Sequence, residues 1–231
     1  MKIEVKPLLD GAKNARGIAV VIDVFRAFSL ECYMYAQGVK DVFPVESLDR
    51  ALKLKEMHNE YILFGERMGM IQSGFDYGNS PYYCRSVDLT GKSAVHASSS
   101  GTRGLIAALD SEADIVITGS FVNAAAIARY IKQQNPETVT LIPMGWAGEH
   151  TTLEDDYCAD YIISLLNNEP DPHPEYLFKL YETDGKRFFN KTNQQSMPIA
   201  DFFLCLEKNI FNFILKAEKG KEAVHLIKQN Y

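Results

Sequence analysis

Apolar and polar positions along the chain alternate between two periods. Ile18-Ala19-Val20-Val21-Ile22 is an unbroken apolar run, the pattern of a strand buried on both faces. A helical stretch follows from Ala27 to Gln37, with Gly38 where a helix-ending glycine belongs. Val42 to Val45 predicts a short strand. Leu48 to His58 predicts an amphipathic helix with Ser47 as its N-cap. Tyr61 to Phe64, Ser93 to Ala97, Ile115 to Thr118 and Val139 to Pro143 predict further strands. Thr102 to Leu109, Val122 to Gln133 and Leu153 to Leu166 predict the helices between and after them.

Strands alternating with helices predict an α/β fold, a three-layer α/β/α domain with a largely parallel or mixed central sheet. Residues 65–81 break the alternation. They are rich in Gly, Asn, Ser and Asp and have no period, which marks a long functional loop. A second break falls at Asn167 to Pro174, where three prolines stop any helix. The expected organisation is a main α/β domain over residues 1–166 and a C-terminal extension, residues 167–231, packed on it. The extension opens with a short helix near Tyr176 to Tyr181. Further on, Phe211, Phe213 and Leu215 alternate like a strand.

Composition narrows the function classes. The chain has 231 residues, 46% hydrophobic and 23% charged, enough to bury a real core. A net charge of -6 argues against nucleic acid or an anionic membrane as partner. No apolar run approaches the roughly 18 residues of a membrane span. Cys32, Cys84, Cys158 and Cys205 have neither zinc-site nor disulfide spacing, so buried thiols in a cytoplasmic protein are expected. No His pair has metal-site spacing, and no nucleotide-binding glycine loop or serine elbow occurs.

Chemistry collects at the carboxyl ends of the predicted strands, where ligands bind in open α/β sheets. The ends carry Asp23 and Arg26, then Glu66 and Arg67, then Ser98-Ser99-Ser100-Gly101-Thr102-Arg103, then Ser120 and Asn123, and lastly Asp155 beyond Gly145. The serine turn before a helix predicts an anion cradle of free backbone N–H groups and hydroxyls, although such residues also serve simply as caps. Arg26, Arg67 and Arg103 suit carboxylate or phosphate. Asp23, Glu66 and Asp155 are the candidate carboxylates for Mg²⁺, which takes one or two of them with water and phosphate oxygens.

These segments together resemble the 2-phosphosulfolactate phosphatase family of the ComB type. The resemblance runs through Val21 to Ala27, Gly65-Glu66-Arg67, Ser98 to Leu105, Gly119 to Ala124 and Glu154-Asp155. Its most specific block is Gly74-Phe75-Asp76-Tyr77-Gly78-Asn79-Ser80-Pro81. It implies an α/β/α fold and Mg²⁺-dependent hydrolysis of 2-phosphosulfolactate to sulfolactate and phosphate, a step towards coenzyme M. On that reading Asp23, Arg26, Glu66 and Arg67 are catalytic, with the metal on Asp23, Glu66 and Asp155. The substrate would lie against Asn79, Ser80, Ser98, Ser99, Ser100, Gly101, Thr102, Arg103, Ser120 and Asn123. Direct water attack and a phosphoenzyme through Asp23 both remain open.

The family's Thr-Thr-Asn-Gly-Thr turn is here Ser98-Ser99-Ser100-Gly101-Thr102, and Phe28-Ser29-Leu30 replaces its threonines after Ala27. Two alternatives therefore stand beside that substrate: another three-carbon phospho-acid, and a non-catalytic binder of small anions. The expected partner is a small anionic phosphate ester, and a homo-oligomer is the default for a cytosolic enzyme.

Overall fold

The computed structural model describes residues 1–231. The first half runs β1 (Lys2–Val5), α1 (Leu8–Lys13), β2 (Arg16–Ile22), α2 (Ala27–Ala36), β3 (Asp41–Val45), α3 (Leu48–Met57), β4 (Ile62–Arg67), β5 (Met70–Ile71) and α4 (Pro81–Cys84). It continues with β6 (Ser93–Ala97), α5 (Gly101–Leu109), β7 (Glu112–Gly119), α6 (Ala124–Gln134), β8 (Thr138–Pro143) and α7 (Leu153–Asn167). The C-terminal segment carries α8 (Tyr176–Glu182), a 3-10 helix at Asp184–Phe189, α9 (Ile199–Leu206), β9 (Phe213–Lys219) and β10 (Val224–Asn230).

The apolar run of β2 behaves as its pattern requires. Ala19 and Val21 enter one core, while Ile18, Val20 and Ile22 enter the other on the opposite face. Ser47 caps α3 by accepting the Arg50 N–H at 3.1 Å. Asn135 and Asn168 end α6 and α7 in left-handed conformations, at φ 47° and 59°. α2 has no polar stripe and is buried on every side from Ala27 to Tyr35.

One sheet of ten strands runs in the order β1-β8-β2-β7-β9-β10-β3-β6-β4-β5. β1, β8, β2 and β7 are mutually parallel, as are β3, β6 and β4. Between the two sets lies the antiparallel hairpin β9–β10. The fold is α/β with a mixed sheet covered by helices on both faces. The C-terminal segment is thus a structural part of the sheet as well as a cover for it. β4 also runs further than the sequence pattern predicts, so Glu66 and Arg67 are strand residues.

This order creates a geometric problem that the site depends on. β2 and β6 are five ladder steps apart, about 24 Å sideways in a flat sheet at ~4.8 Å per step, and the three antiparallel pairings between them point their carboxyl ends to opposite edges. Yet the Gly101 N–H, just beyond β6, donates to Asp23, just beyond β2, at 2.8 Å. Only a sheet that twists and curls between its two parallel sets brings these ends together.

Candidate active site

Asp23 follows directly on β2, and its carboxylate is held by two backbone groups. Oδ1 accepts the Ala27 N–H at 3.0 Å and Oδ2 the Gly101 N–H at 2.8 Å. Gly101 is glycine because a Cβ there would stand 2.6 Å from Asp23 Oδ2. Glu66 is seated in the same manner from β4. Its Oε1 accepts the Ser99 N–H at 2.7 Å, and its Oε2 accepts the Gly69 N–H at 2.6 Å and the Ser99 hydroxyl at 3.0 Å.

The serine turn is therefore a cradle for the protein's own carboxylates. Its N–H groups at Ser99 and Gly101 are taken by Glu66 and Asp23, and the Thr102 N–H goes to Ser98 Oγ at 3.0 Å. This narrows the expectation of free donors for a substrate anion to the Ser100 N–H, which has no acceptor within the chain and belongs to a residue lining the cavity. The positive end of α5 stabilises Asp23 instead. Burial pushes the Asp23 carboxyl up to about 6, with the Glu66 charge adding to it and the two N–H bonds opposing it.

Asp23 and Glu66 line one cavity of about 420 Å³, counting its open mouth, with Arg26, Asn79, Ser99 and Ser100. The Phe25–Arg26 peptide is cis. Arg26 is 4% exposed, and its Nη1 donates to Asp201 Oδ2 and to the Ser196 carbonyl, both at 2.7 Å. A longer contact of 3.4 Å joins Nη2 to the Gly69 carbonyl. Three of the five guanidinium N–H donors are so used, which leaves two for a ligand.

Several expected residues stand elsewhere. Glu66 and Arg67 are neighbours on a strand, so their side chains leave on opposite faces and both cannot face one site. Arg67 turns back to the Glu66 carbonyl at 2.7 Å, outside the cavity lining. Asp155 is also outside it. Its Oδ1 accepts the Val24 N–H and its Oδ2 the Gly145 N–H, each at 2.8 Å. Asp155 thus ties the loop after β2 to the loop after β8. Arg103 is a similar tie, donating to the Ser99 and Ala147 carbonyls at 3.0 and 3.1 Å.

Ser80 caps α4 and donates to Asp201 at 2.9 Å, and Ser98 and Thr102 bond each other at the start of α5. Ser120 and Asn123 are sealed. Ser120 Oγ lies 2.6 Å from Ser29 Oγ, and Asn123 accepts the Ser120 N–H and donates to the Phe213 carbonyl.

Residues 5–220 match the family model described as 2-phosphosulpholactate phosphatase. The chain belongs to that family. A probable 2-phosphosulfolactate phosphatase of Clostridium perfringens (strain SM101 / Type A) is 37% identical over 239 residues, covering 96% of this chain and 95% of the relative. One from Caldicellulosiruptor saccharolyticus is 33% identical over 213 residues, covering 85% and 87%. One from Carboxydothermus hydrogenoformans is 40% identical over 167 residues, covering 72% and 68%. The chain is accordingly a phosphoric monoester hydrolase.

The C-terminal segment of this phosphatase completes its site, which the sequence reading missed. Arg187 and Met197 line the cavity, as do Trp146 and Ala147 from the loop after β8. The Arg187 guanidinium lies over the Trp146 ring at 4.6 Å and 3.7 Å from Glu154 Oε1. Burial pushes the Glu154 carboxyl up to about 7 against the pull of Arg187. Asp201 holds Arg26 from α9. The one available signal was Trp146, the single tryptophan, placed in a turn. No helix is long and apolar enough to cross a membrane.

Proposed function

We propose that the chain hydrolyses 2-phosphosulfolactate to sulfolactate and phosphate with Mg²⁺. The observation that supports this most is the pairing of two carboxylates, Asp23 and Glu66, with two guanidinium groups, Arg26 and Arg187, around one small cavity. A phosphate ester that also carries carboxylate and sulfonate needs more than one cationic anchor. The relatives' own name, probable 2-phosphosulfolactate phosphatase, agrees with that substrate.

The donor set fits the metal. Mg²⁺ takes one or two carboxylates and fills its shell with water and phosphate oxygens. Asp23 and Glu66 are oxygen donors held rigid by backbone N–H groups, and each keeps lone pairs free. These two residues would hold the ion, which supplies Lewis-acid charge neutralisation when bound. Asp155 would act by fixing the loops around it.

The chain's own residues do the rest. Arg26 and Arg187 take the phosphoryl oxygens and stabilise the charge that gathers on them. Water attacks phosphorus and the ester P–O bond breaks. One proton of that water stays on phosphate and the other ends on the sulfolactate hydroxyl.

The test is phosphate release from 2-phosphosulfolactate, phospholactate and phosphoglycerate, each with Mg²⁺ and with a chelator. Release that needs Mg²⁺ and favours the sulfonated ester supports the proposal. Preference for a non-sulfonated ester rejects the substrate, and release unaffected by chelation rejects the metal.

A further inference from the structure

Three buried polar side chains, one in the cavity wall and two behind it, have no part in the chemistry above. Glu31 belongs to α2, His96 to β6, and Asn79 to the loop before α4. Glu31 and His96 are fully buried and Asn79 is 4% exposed. Glu31 Oε1 lies 2.8 Å from His96 Nδ1, and His96 Nε2 lies 2.9 Å from Asn79 Oδ1. Glu31 Oε2 has no partner, so this acid is engaged through the imidazole alone. Asn79 lines the cavity, and its Nδ2 has no acceptor within the chain.

A proton count decides which way the Asn79 amide faces. A fully buried acid–base pair costs least at zero net charge. A neutral Glu31–His96 pair is either carboxylate with imidazolium or carboxylic acid with imidazole, the acid proton then sitting on Oε1 because on Oε2 it would have no acceptor. In both forms the shared proton lies between Oε1 and Nδ1, and Nε2 keeps its own. An Nε2–H donates, so the atom facing it must be the amide oxygen. The two amide N–H donors of Asn79 are then directed away from the imidazole and towards the cavity. Burial pushes the Glu31 carboxyl up while His96 pulls it down. Without the Glu31 partner the imidazole is free to accept through Nε2. The amide then turns over and presents an oxygen that repels phosphate.

We infer that Glu31 and His96 are positioning residues that hold the Asn79 amide so that its N–H donors face the anionic oxygens of the substrate. The inference rests on the reading of the cavity as an anion site. Neither residue touches substrate; both act through Asn79.

Calorimetric titration of the full chain with inorganic phosphate, in the presence of Mg²⁺, tests it. Asn79→Ala should weaken binding about tenfold, the weight of a hydrogen bond to a charged group. His96→Phe should weaken it by a similar factor, and the double variant should be no weaker than Asn79→Ala alone. His96→Gln, which retains an N–H donor, should recover part of the loss. A His96→Phe effect that persists in full in the Asn79→Ala background overturns the inference, because the histidine would then act by another route. Should His96→Phe fail to fold, Asn79→Asp decides. It replaces donors by acceptors and must bind phosphate more weakly than Asn79→Ala; equal or tighter binding overturns the inference. Wild-type binding with an unaffected Asn79→Ala overturns this inference alone. Absence of phosphate binding by the wild type would overturn the anion-site reading and this inference with it.

Discussion

The turns after β6 and β7 are built from the same kinds of residue and end differently. Each leaves a buried strand, passes through small polar residues and enters a helix. At Ser98–Gly101 the backbone N–H groups reach across the fold to Glu66 and Asp23. At Ser120–Asn123 the same kinds of group close on each other and on Ser29. The first turn faces carboxylates delivered by other strands, and the second faces only neutral groups of α2, β9 and its own backbone. A serine turn before a helix thus specifies a supply of donors. What consumes them is set by the curl of the sheet, which is not a local property.

Substitutions at the two turns sharpen this contrast. The largest effect should come from Asp23→Asn, which removes a charge at the cavity. Phosphate release should fall about 10³-fold, with folding checked by circular dichroism; near-normal turnover would remove Asp23 from the chemistry. Gly101→Ala comes next. Its Cβ would press on Asp23 Oδ2 at 2.6 Å, and misplacing that carboxylate should cost about 10²-fold in kcat/KM. Its counterpart Gly119→Ala would instead meet Val20 Cγ1 at 2.8 Å, in the core. That variant should lose about 1–3 kcal/mol of stability in denaturant melts and keep its kcat/KM.

Arg187→Ala should raise KM about tenfold through loss of a charge-assisted contact to the ester, measured by steady-state kinetics. The smallest effect belongs to Ser120→Ala, which breaks the hydroxyl pair with Ser29. It should cost about 1 kcal/mol of stability and leave phosphate release unchanged. Loss of activity there with stability intact would place Ser120 in the site and erase the distinction between the turns.

Local rules made much of the fold legible. The unbroken run of β2, the capped amphipathic α3 and the small-residue break before α5 all follow from periodicity and capping within a few residues. The pattern at residues 211–215 anticipated β9. Its insertion between β7 and β10 was hidden, because strand pairing across the chain leaves no local mark. α9 and β10 went unread. At the site, Asp23 and Glu66 were visible as acids at strand ends. Arg67 separates from Glu66 by strand alternation only because β4 runs on through both, past the Phe64 at which the pattern ends it. Arg187 and Asp201 carried no such signal, since their role is created by how residues 184–206 fold back over the cavity. Asp155 has the right chemistry for a ligand, but it stands outside the cavity lining, where it ties Val24 to Gly145.

The claim on which the rest depends is that substrate anions bind between the Asp23–Glu66 carboxylates and the Arg187–Trp146 stack. Trp146 is the single tryptophan of the chain and lines that cavity, so its fluorescence reports on this place alone. Inorganic phosphate, the reaction product, should shift its emission saturably. The midpoint should equal the constant with which phosphate inhibits ester hydrolysis. Competitive inhibition by phosphate with Trp146 emission unchanged would put the anion elsewhere and contradict the account.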